Sequence, residues 1–318
     1  MSTNGPRRAA GRPGWRMPWL NAGIGALALL GLLVMGYPSV ASWFAQYNQS
    51  RVIEALDGVV DDGPPERLAA EIKRAVEFND QLISGALVSP GSNIPQGDGP
   101  GDAVAYGSIL DAGAGMIGRL RIPAIQVDLP IYHGTTDAVL EKGVGHLQGT
   151  SFPVGGGSQH SVLTAHRGLP SATLFNDLQN LKVGDTFTIE TFGTVLTYRV
   201  RETQTIEPDE TQALVPQFGQ DLVTLVTCTP LGINTHRYLV TGERILPTPA
   251  IDLQRAGERP EIPGFPWWSV ILGGACVGWL ALVVSTGFPR RRVGPQNRKV
   301  EHSTSSGIFP ESASLNQA

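Results

Sequence analysis

The chain has 318 residues, 41% of them hydrophobic, enough for one sizeable core together with segments apolar enough to enter a bilayer. Its 24 basic and 28 acidic side chains leave a formal charge of −4, so nothing marks nucleic acid as a partner. Two cysteines cannot build a disulfide framework, and no HExxH, CxxC or Cys/His zinc spacing occurs; neither a metal nor another cofactor is expected.

Residues 1–18 form a basic tail with Arg7, Arg8, Arg12 and Arg16, and residues 19–37 follow as an apolar run of bilayer-crossing length. Basic residues ahead of a span stay in the cytoplasm, which puts the chain beyond it outside. Ser39-Val40-Ala41 is an alternative small-residue cleavage site; cleavage there would still leave residues 45–262 outside the membrane. Residues 46–83 read as helical. Pro64-Pro65-Glu66 gives a start signal, after which Leu68, Ile72, Val76 and Ile83 recur on one face. Residues 84–107, rich in Gly, Pro, Ser and Asp, read as a loop, so 45–112 is a region of extracytoplasmic helices ending in a loop.

Gly113-Ala114-Gly115-Met116-Ile117-Gly118 fits GxGxxG. That fingerprint needs a strand before it and a helix after, whereas Arg119-Leu120-Arg121-Ile122-Pro123 continues as a strand interrupted by proline, which removes the dinucleotide reading. From 116 onward short β-type stretches alternate with turns, at 119–127, 161–164, 186–191, 195–201, 222–228 and 237–242. So many short strands in one region predict a closed or nearly closed β-barrel over 116–246. Residues 247–264 read as a linker. A second apolar run, 265–288, has Trp267 and Trp268 at one rim and is followed by Arg290, Arg291 and Arg292. Both ends of the chain are therefore expected in the cytoplasm, with 289–318 a disordered polar tail and the middle outside the cell membrane. Leu246-Pro247-Thr248-Pro249 ahead of that span looks like a wall-sorting signal, but proline stands where such a signal needs glycine and the gap to the span is long.

Cys228 closes the run Leu222-Val223-Thr224-Leu225-Val226-Thr227-Cys228, and alternation puts Leu222, Thr224, Val226 and Cys228 on one face. Residues 229–236 read as a loop, and Arg237 opens the next strand. If the two strands pair as a hairpin, Cys228 and Arg237 share a rim. Lone cysteines are ordinarily core residues. Here the strand end, the polar loop and the returning cation favour a reactive thiol, because a nearby cation lowers a thiol's pKa. His166, in Ser161-Val162-Leu163-Thr164-Ala165-His166-Arg167-Gly168-Leu169-Pro170, ends another apolar strand and would suit a general acid and base. His133, His146, His160 and His236 are rivals, and spacing alone does not choose among the five.

Thr224-Leu225-Val226-Thr227-Cys228 resembles the TLxTC signature of sortases, with Arg237 at the matching distance downstream. Leu129-Pro130-Ile131-Tyr132-His133-Gly134-Thr135, Gly145-His146-Leu147-Gln148-Gly149-Thr150-Ser151 and 163–170 also match, in the same order, over about residues 116–245. The segment from Thr227 through Pro230, Asn234 and His236 to Arg237, with the two spans, is similar to the class C, pilin-polymerising subgroup. The resemblance implies a mainly β fold: an eight-stranded barrel with N-terminal helices and two transmembrane helices. It implies a catalytic triad of His166, Cys228 and Arg237 in a membrane-anchored cysteine transpeptidase of a Gram-positive host. Its partners would be LPxTG-bearing pilins or surface proteins and an acceptor amine, either a pilin lysine or a peptidoglycan precursor. The reading then divides between pilus assembly and attachment of single proteins to the wall. One departure stands out. Class C members carry a lid with an Asp-Pro-aromatic motif, and the corresponding stretch here, Leu87-Val88-Ser89-Pro90-Gly91-Ser92, has neither acid nor aromatic; Asp98 and Asp102 lie further along the same loop. Two remote alternatives are an L,D-transpeptidase, where glycine precedes the cysteine in place of Thr227, and a non-catalytic tethered β-barrel.

Overall fold

The computed structural model describes residues 14–82 and 106–288. The chain divides into two units, one of Met1–Leu27 with Val277–Ala318, the other of Ala28–Cys276. Helix α1, Trp19–Asp61, and the last helix of the described chain, Trp267–Gly287, are each long and apolar enough to cross a membrane. In the first unit they touch: Trp279 Nε1 donates to the Ala22 carbonyl at 3.3 Å, and the Arg16 N–H to the Gly287 carbonyl at 3.0 Å.

The helix expected over 46–83 is two pieces. Its first half belongs to α1, which runs unbroken through Pro38 to Asp61. Helix α2, Pro65–Gln81, restarts after Gly63 and Pro64, with Pro65 in the first turn where a missing N–H costs nothing. The buried face of α2 is also not the one expected. Ala75 and Asn79 are buried and Leu68, Ile72 and Phe78 pack on the barrel core, while Val76 is 37% exposed. A step of three from Ile72 stays on the stripe, and the step of four to Val76 leaves it. Ile83, the motif at 87–92, Asp98 and Asp102 lie outside the described residues.

The second unit is built on eight strands: β1 Met116–Ile122, β2 Val127–His133, β3 Val144–His146, β4 Gln159–Thr164, β5 Thr186–Thr191, β6 Thr194–Ile206, β7 Asp221–Thr229 and β8 His236–Arg244. They close into a barrel in the order β1-β2-β3-β4-β7-β8-β6-β5, as expected from the spacing of short strands. The stretch expected as one strand over 119–127 is interrupted by a 3-10 turn at Pro123–Ile125, because proline cannot donate to the ladder. The glycines of GxGxxG serve the turn and the barrel. Gly113 and Gly115 have φ of 113° and 77° and donate their N–H groups to Asp111 Oδ1, and a Cβ on Gly118 would meet the Glu190 carbonyl at 2.6 Å.

Alternation sorts the side chains. Leu163, Val223, Leu225 and Val240 join Leu120, Phe187, Ile189 and Tyr198 in the main core, while Val162, Val226 and Leu239 point to the other face. There Leu214 from the β6–β7 connection covers them, with Ile206 and Ala213 packed alongside. The connection is pinned by His160, whose Nδ1 lies 3.2 Å from the Val215 carbonyl and whose Nε2 lies 2.7 Å from Thr224 Oγ1.

The stretch read as a linker holds on to its surroundings. It contains α3 in part of its length only as a short turn of helix, Ala250–Gln254, where Asp252 accepts from Thr197 Oγ1 at 2.8 Å. Fully buried Arg119 grips Asp128 with two hydrogen bonds of 2.7 and 2.6 Å and donates from Nη1 to the Glu258 carbonyl at 2.7 Å. Further on, Ser50 Oγ donates to the Glu261 carbonyl and Trp43 Nε1 to the Gly264 carbonyl, both from α1.

Candidate active site

Three adjacent strands, β4, β7 and β8, carry the residues singled out in the sequence. β7 and β8 are antiparallel with Cys228 directly opposite Arg237 and Thr229 opposite His236. β4 and β7 are parallel, in register from Gln159↔Asp221 to Thr164↔Val226. The pairing persists past the end of β4: the Ala165 N–H donates to the Val226 carbonyl at 3.2 Å, and Thr227 Oγ1 donates to the Ala165 carbonyl at 2.9 Å. Carrying the same register two residues beyond Thr164↔Val226 sets His166 across from Cys228. His166, Cys228 and Arg237 thus form one row across three strands.

The row also has one facing. Val162, Val226 and Leu239 share the outer cluster. A further step of two or four along each strand reaches His166, Cys228 and Arg237, so the pleat turns all three toward that outer face. The edge is where burial changes: residues 222–227 of β7 are buried, and Cys228 and Thr229 are half-buried. His166 is half-buried as well, and its ring makes no hydrogen bond among the described residues.

Electrostatics at the thiol oppose one expectation from the sequence. Burial pushes the Cys228 thiol up, and the Arg237 guanidinium pulls it down; the net direction is upward. Loss of water outweighs the cation here, so the protonated thiol is favoured at rest. Arg237 is itself 4% exposed, and its Nη1 donates to the Asn234 and His236 carbonyls at 3.1 and 3.2 Å. The first carbonyl belongs to the turn between β7 and β8 and the second to the residue that opens β8, so the backbone that follows Cys228 also aims the guanidinium.

The rival histidines have other occupations. His146 is fully buried: Nε2 lies 2.9 Å from the Ser151 carbonyl, which can only accept, so Nδ1 accepts from Tyr106 OH at 2.9 Å. Burial depresses its pKa to about 3. His160 is lowered too, by burial. His133 binds the Gly115 and Ile109 carbonyls. His133 and His146 end β2 and β3 opposite one another, and His146 lies across from Leu163, three residues before His166. His236 sits at the same rim as Cys228, but its Nε2 contacts Glu207 at 3.0 Å and its Nδ1 meets Thr235 Oγ1 at 2.9 Å.

Sequence reasoning passed over three polar groups near this row. Thr164 Oγ1, Arg167 Nε and Asn234 Oδ1 are buried atoms without a hydrogen-bond partner among the described residues. The sequence carries no signal for them, because an atom is left without a partner by its neighbours in space and not by its own residue type. Among the described residues, no group of three or more His, Cys, Asp or Glu side chains could hold a metal ion.

Comparison with known proteins gives a consistent answer. Residues 120–245 match the Sortase domain family model. Sortase D of Bacillus subtilis is 33% identical over 131 residues, a stretch that is 40% of this chain and 63% of that protein. Sortase A of Bacillus anthracis is 28% identical over 130 residues, 41% of this chain and 60% of that protein. The chain thus spans less than two thirds of the curated relatives it matches. Among solved structures, sortase C-1 from Actinomyces oris is 47% identical with a TM-score of 0.52, covering 56% of this chain and 98% of that one. Sortase C1 from Streptococcus agalactiae is 39% identical with a TM-score of 0.57, covering 62% and 100%.

Proposed function

The chain belongs to the sortase family, and from that premise we propose that it is a membrane-tethered cysteine transpeptidase with His166, Cys228 and Arg237 as its catalytic residues. The observation that carries this reading is the register of β4, β7 and β8, which lines up an imidazole, a thiol and a guanidinium on one outer face.

In the proposed reaction an LPxTG-like sorting signal lies along that face with its threonine carbonyl at Cys228. The thiol gives its proton to His166 as it attacks, and Arg237 donates hydrogen bonds to the developing oxyanion or to the signal's backbone. The raised thiol pKa makes this coupled transfer preferable to a standing thiolate. The tetrahedral intermediate collapses when His166 returns the proton to the departing amine, leaving a thioester on Cys228. An incoming amine gives up a proton to His166, attacks the thioester carbonyl and restores the thiol.

The acceptor we infer is a lysine of a pilin subunit, and the product a pilus polymer. Support comes from the solved class C relatives, one of which, from Streptococcus pneumoniae, is described in terms of pilin substrate specificity; it is 38% identical to this chain, with a TM-score of 0.56. The two apolar helices fit a protein anchored in the membrane with its barrel outside and both termini in the cytoplasm. A second reading, transfer of single surface proteins to peptidoglycan, uses the same chemistry, and the curated relatives, named sortase A and sortase D, do not carry the C designation of the solved structures. Incubation of the purified protein with an LPxTG-bearing pilin separates the two. A ladder of SDS-resistant multimers supports polymerisation, single transfer to a peptidoglycan-like amine supports anchoring, and neither product refutes both.

A further inference from the structure

Three of the five buried, unpartnered side-chain polar atoms among the described residues belong to segments that bracket Cys228: Thr164 in β4, Arg167 just after His166, and Asn234 in the β7–β8 turn. Buried polar groups are nearly always paired, so a concentration of orphans in one place asks for a cause. Thr164 is the most deeply placed, at 3% exposed.

The fold explains why Thr164 is left alone. Its partner on β3 is Gly145, which has no side chain, and its partner on β7 is Val226, which has no polar atom. Along β4 its outer-face neighbours are Val162 and His166, the first apolar and the second directed to the rim. A threonine in a helix can turn its hydroxyl onto a backbone carbonyl, but strand carbonyls lie in the plane of the sheet and are taken by the ladder. The hydroxyl therefore stands on the face shared with Cys228, next to the row of reactive groups, without a partner among the described residues.

We propose that Thr164 is a specificity-determining contact of the transfer reaction: its hydroxyl is kept for a backbone amide group of the extended peptide that Cys228 attacks. The inference rests on the transpeptidase reading above. Bound peptide supplies the missing partner, so the hydroxyl favours the complex and disfavours the empty fold. Arg167 Nε, a donor, and Asn234 Oδ1, an acceptor, are likewise without a partner among the described residues.

The isosteric Thr164→Val variant tests this, because it removes the hydroxyl and keeps the shape. The expected result is opposite in sign for folding and for binding. The melting temperature is unchanged or higher, since an unsatisfied group has gone, while KM for a fluorogenic LPxTG peptide rises about tenfold with kcat within about twofold. Thr164→Ser, which restores the hydroxyl, should recover most of the wild-type KM. A lower melting temperature in Thr164→Val would mean that the hydroxyl is already bonded inside the fold, and overturns the proposal. So does an unchanged KM in an active enzyme. If the wild-type protein cleaves no such peptide, the transpeptidase reading is what fails; the melting comparison still decides whether the hydroxyl is unpaired.

Discussion

His146, paired with Leu163 on β4, and His166, three residues further along the same chain segment, show two uses of one side chain. His146 is sealed in, with Tyr106 on one ring nitrogen and the Ser151 carbonyl on the other, and burial holds it neutral. His166 is half-buried at the rim, its ring unbonded among the described residues and level with Cys228. A saturated imidazole contributes rigidity, because every proton site is spoken for. One with open valences can take a proton and give it back. The lesson extends to the polar groups around them: Asn79 is paired through both side-chain polar atoms with Phe152, whereas Thr164, Arg167 and Asn234 each keep an atom without a partner among the described residues.

The strongest way to sharpen this contrast is at the thiol. Cys228→Ala should lower transfer by at least about a thousandfold, with the melting temperature nearly unmoved, since a half-buried rim residue loses little packing. Intact-mass spectrometry should find a thioacyl adduct on the wild-type protein and none on the variant. Next come the two histidines as a pair. His166→Ala should cost about 10²–10⁴ in kcat/KM with normal urea unfolding. His146→Ala should cost roughly 3 kcal/mol of stability, read as a shift of the urea midpoint, because it leaves Tyr106 OH and the Ser151 carbonyl without their partner. Equal effects of both substitutions on both measurements would break the comparison.

Arg237→Lys should lose about ten- to hundredfold in kcat/KM, because an ammonium cannot hold the Asn234 and His236 carbonyls and still present a planar fork to substrate. The smallest effect concerns pH. His146 and His160 have folded-state pKa values below the ordinary one, so below about pH 6.5 the unfolded chain takes up protons that the fold refuses. Stability should be full above that pH and decline as pH falls toward about 3, the folded value for His146. Urea midpoints measured from pH 7 to pH 4 in His146→Gln should fall less steeply than in wild type.

Much of the fold was legible because alternation is a local signal. Residues 186–191 were read as a strand and are β5, and 222–228 lie within Asp221–Thr229. The ends of helices were harder to read. α1 overran its apolar stretch because residues 38–61 remain compatible with helix, and Val76 was misassigned because steps of three and four look alike without the partner surface. At the site, Cys228 and Arg237 were legible as a hairpin pair, but His166 was one of five histidines. Only the parallel pairing of β4 with β7, between segments some sixty residues apart, brings it level with the thiol. Thr164 could not be singled out, since being unpartnered is a property of neighbours, Gly145 and Val226, that the sequence does not declare.

The return segment after β8 changes where a self-sufficient fragment must end. A chain cut after Ile245 would retain every strand and yet uncork Arg119, whose Nη1 would lose the Glu258 carbonyl in a place water does not reach. An unfilled guanidinium at such depth is expensive, so the smallest piece that stands by itself extends past the barrel to Gly264, where Trp43 takes the last hold.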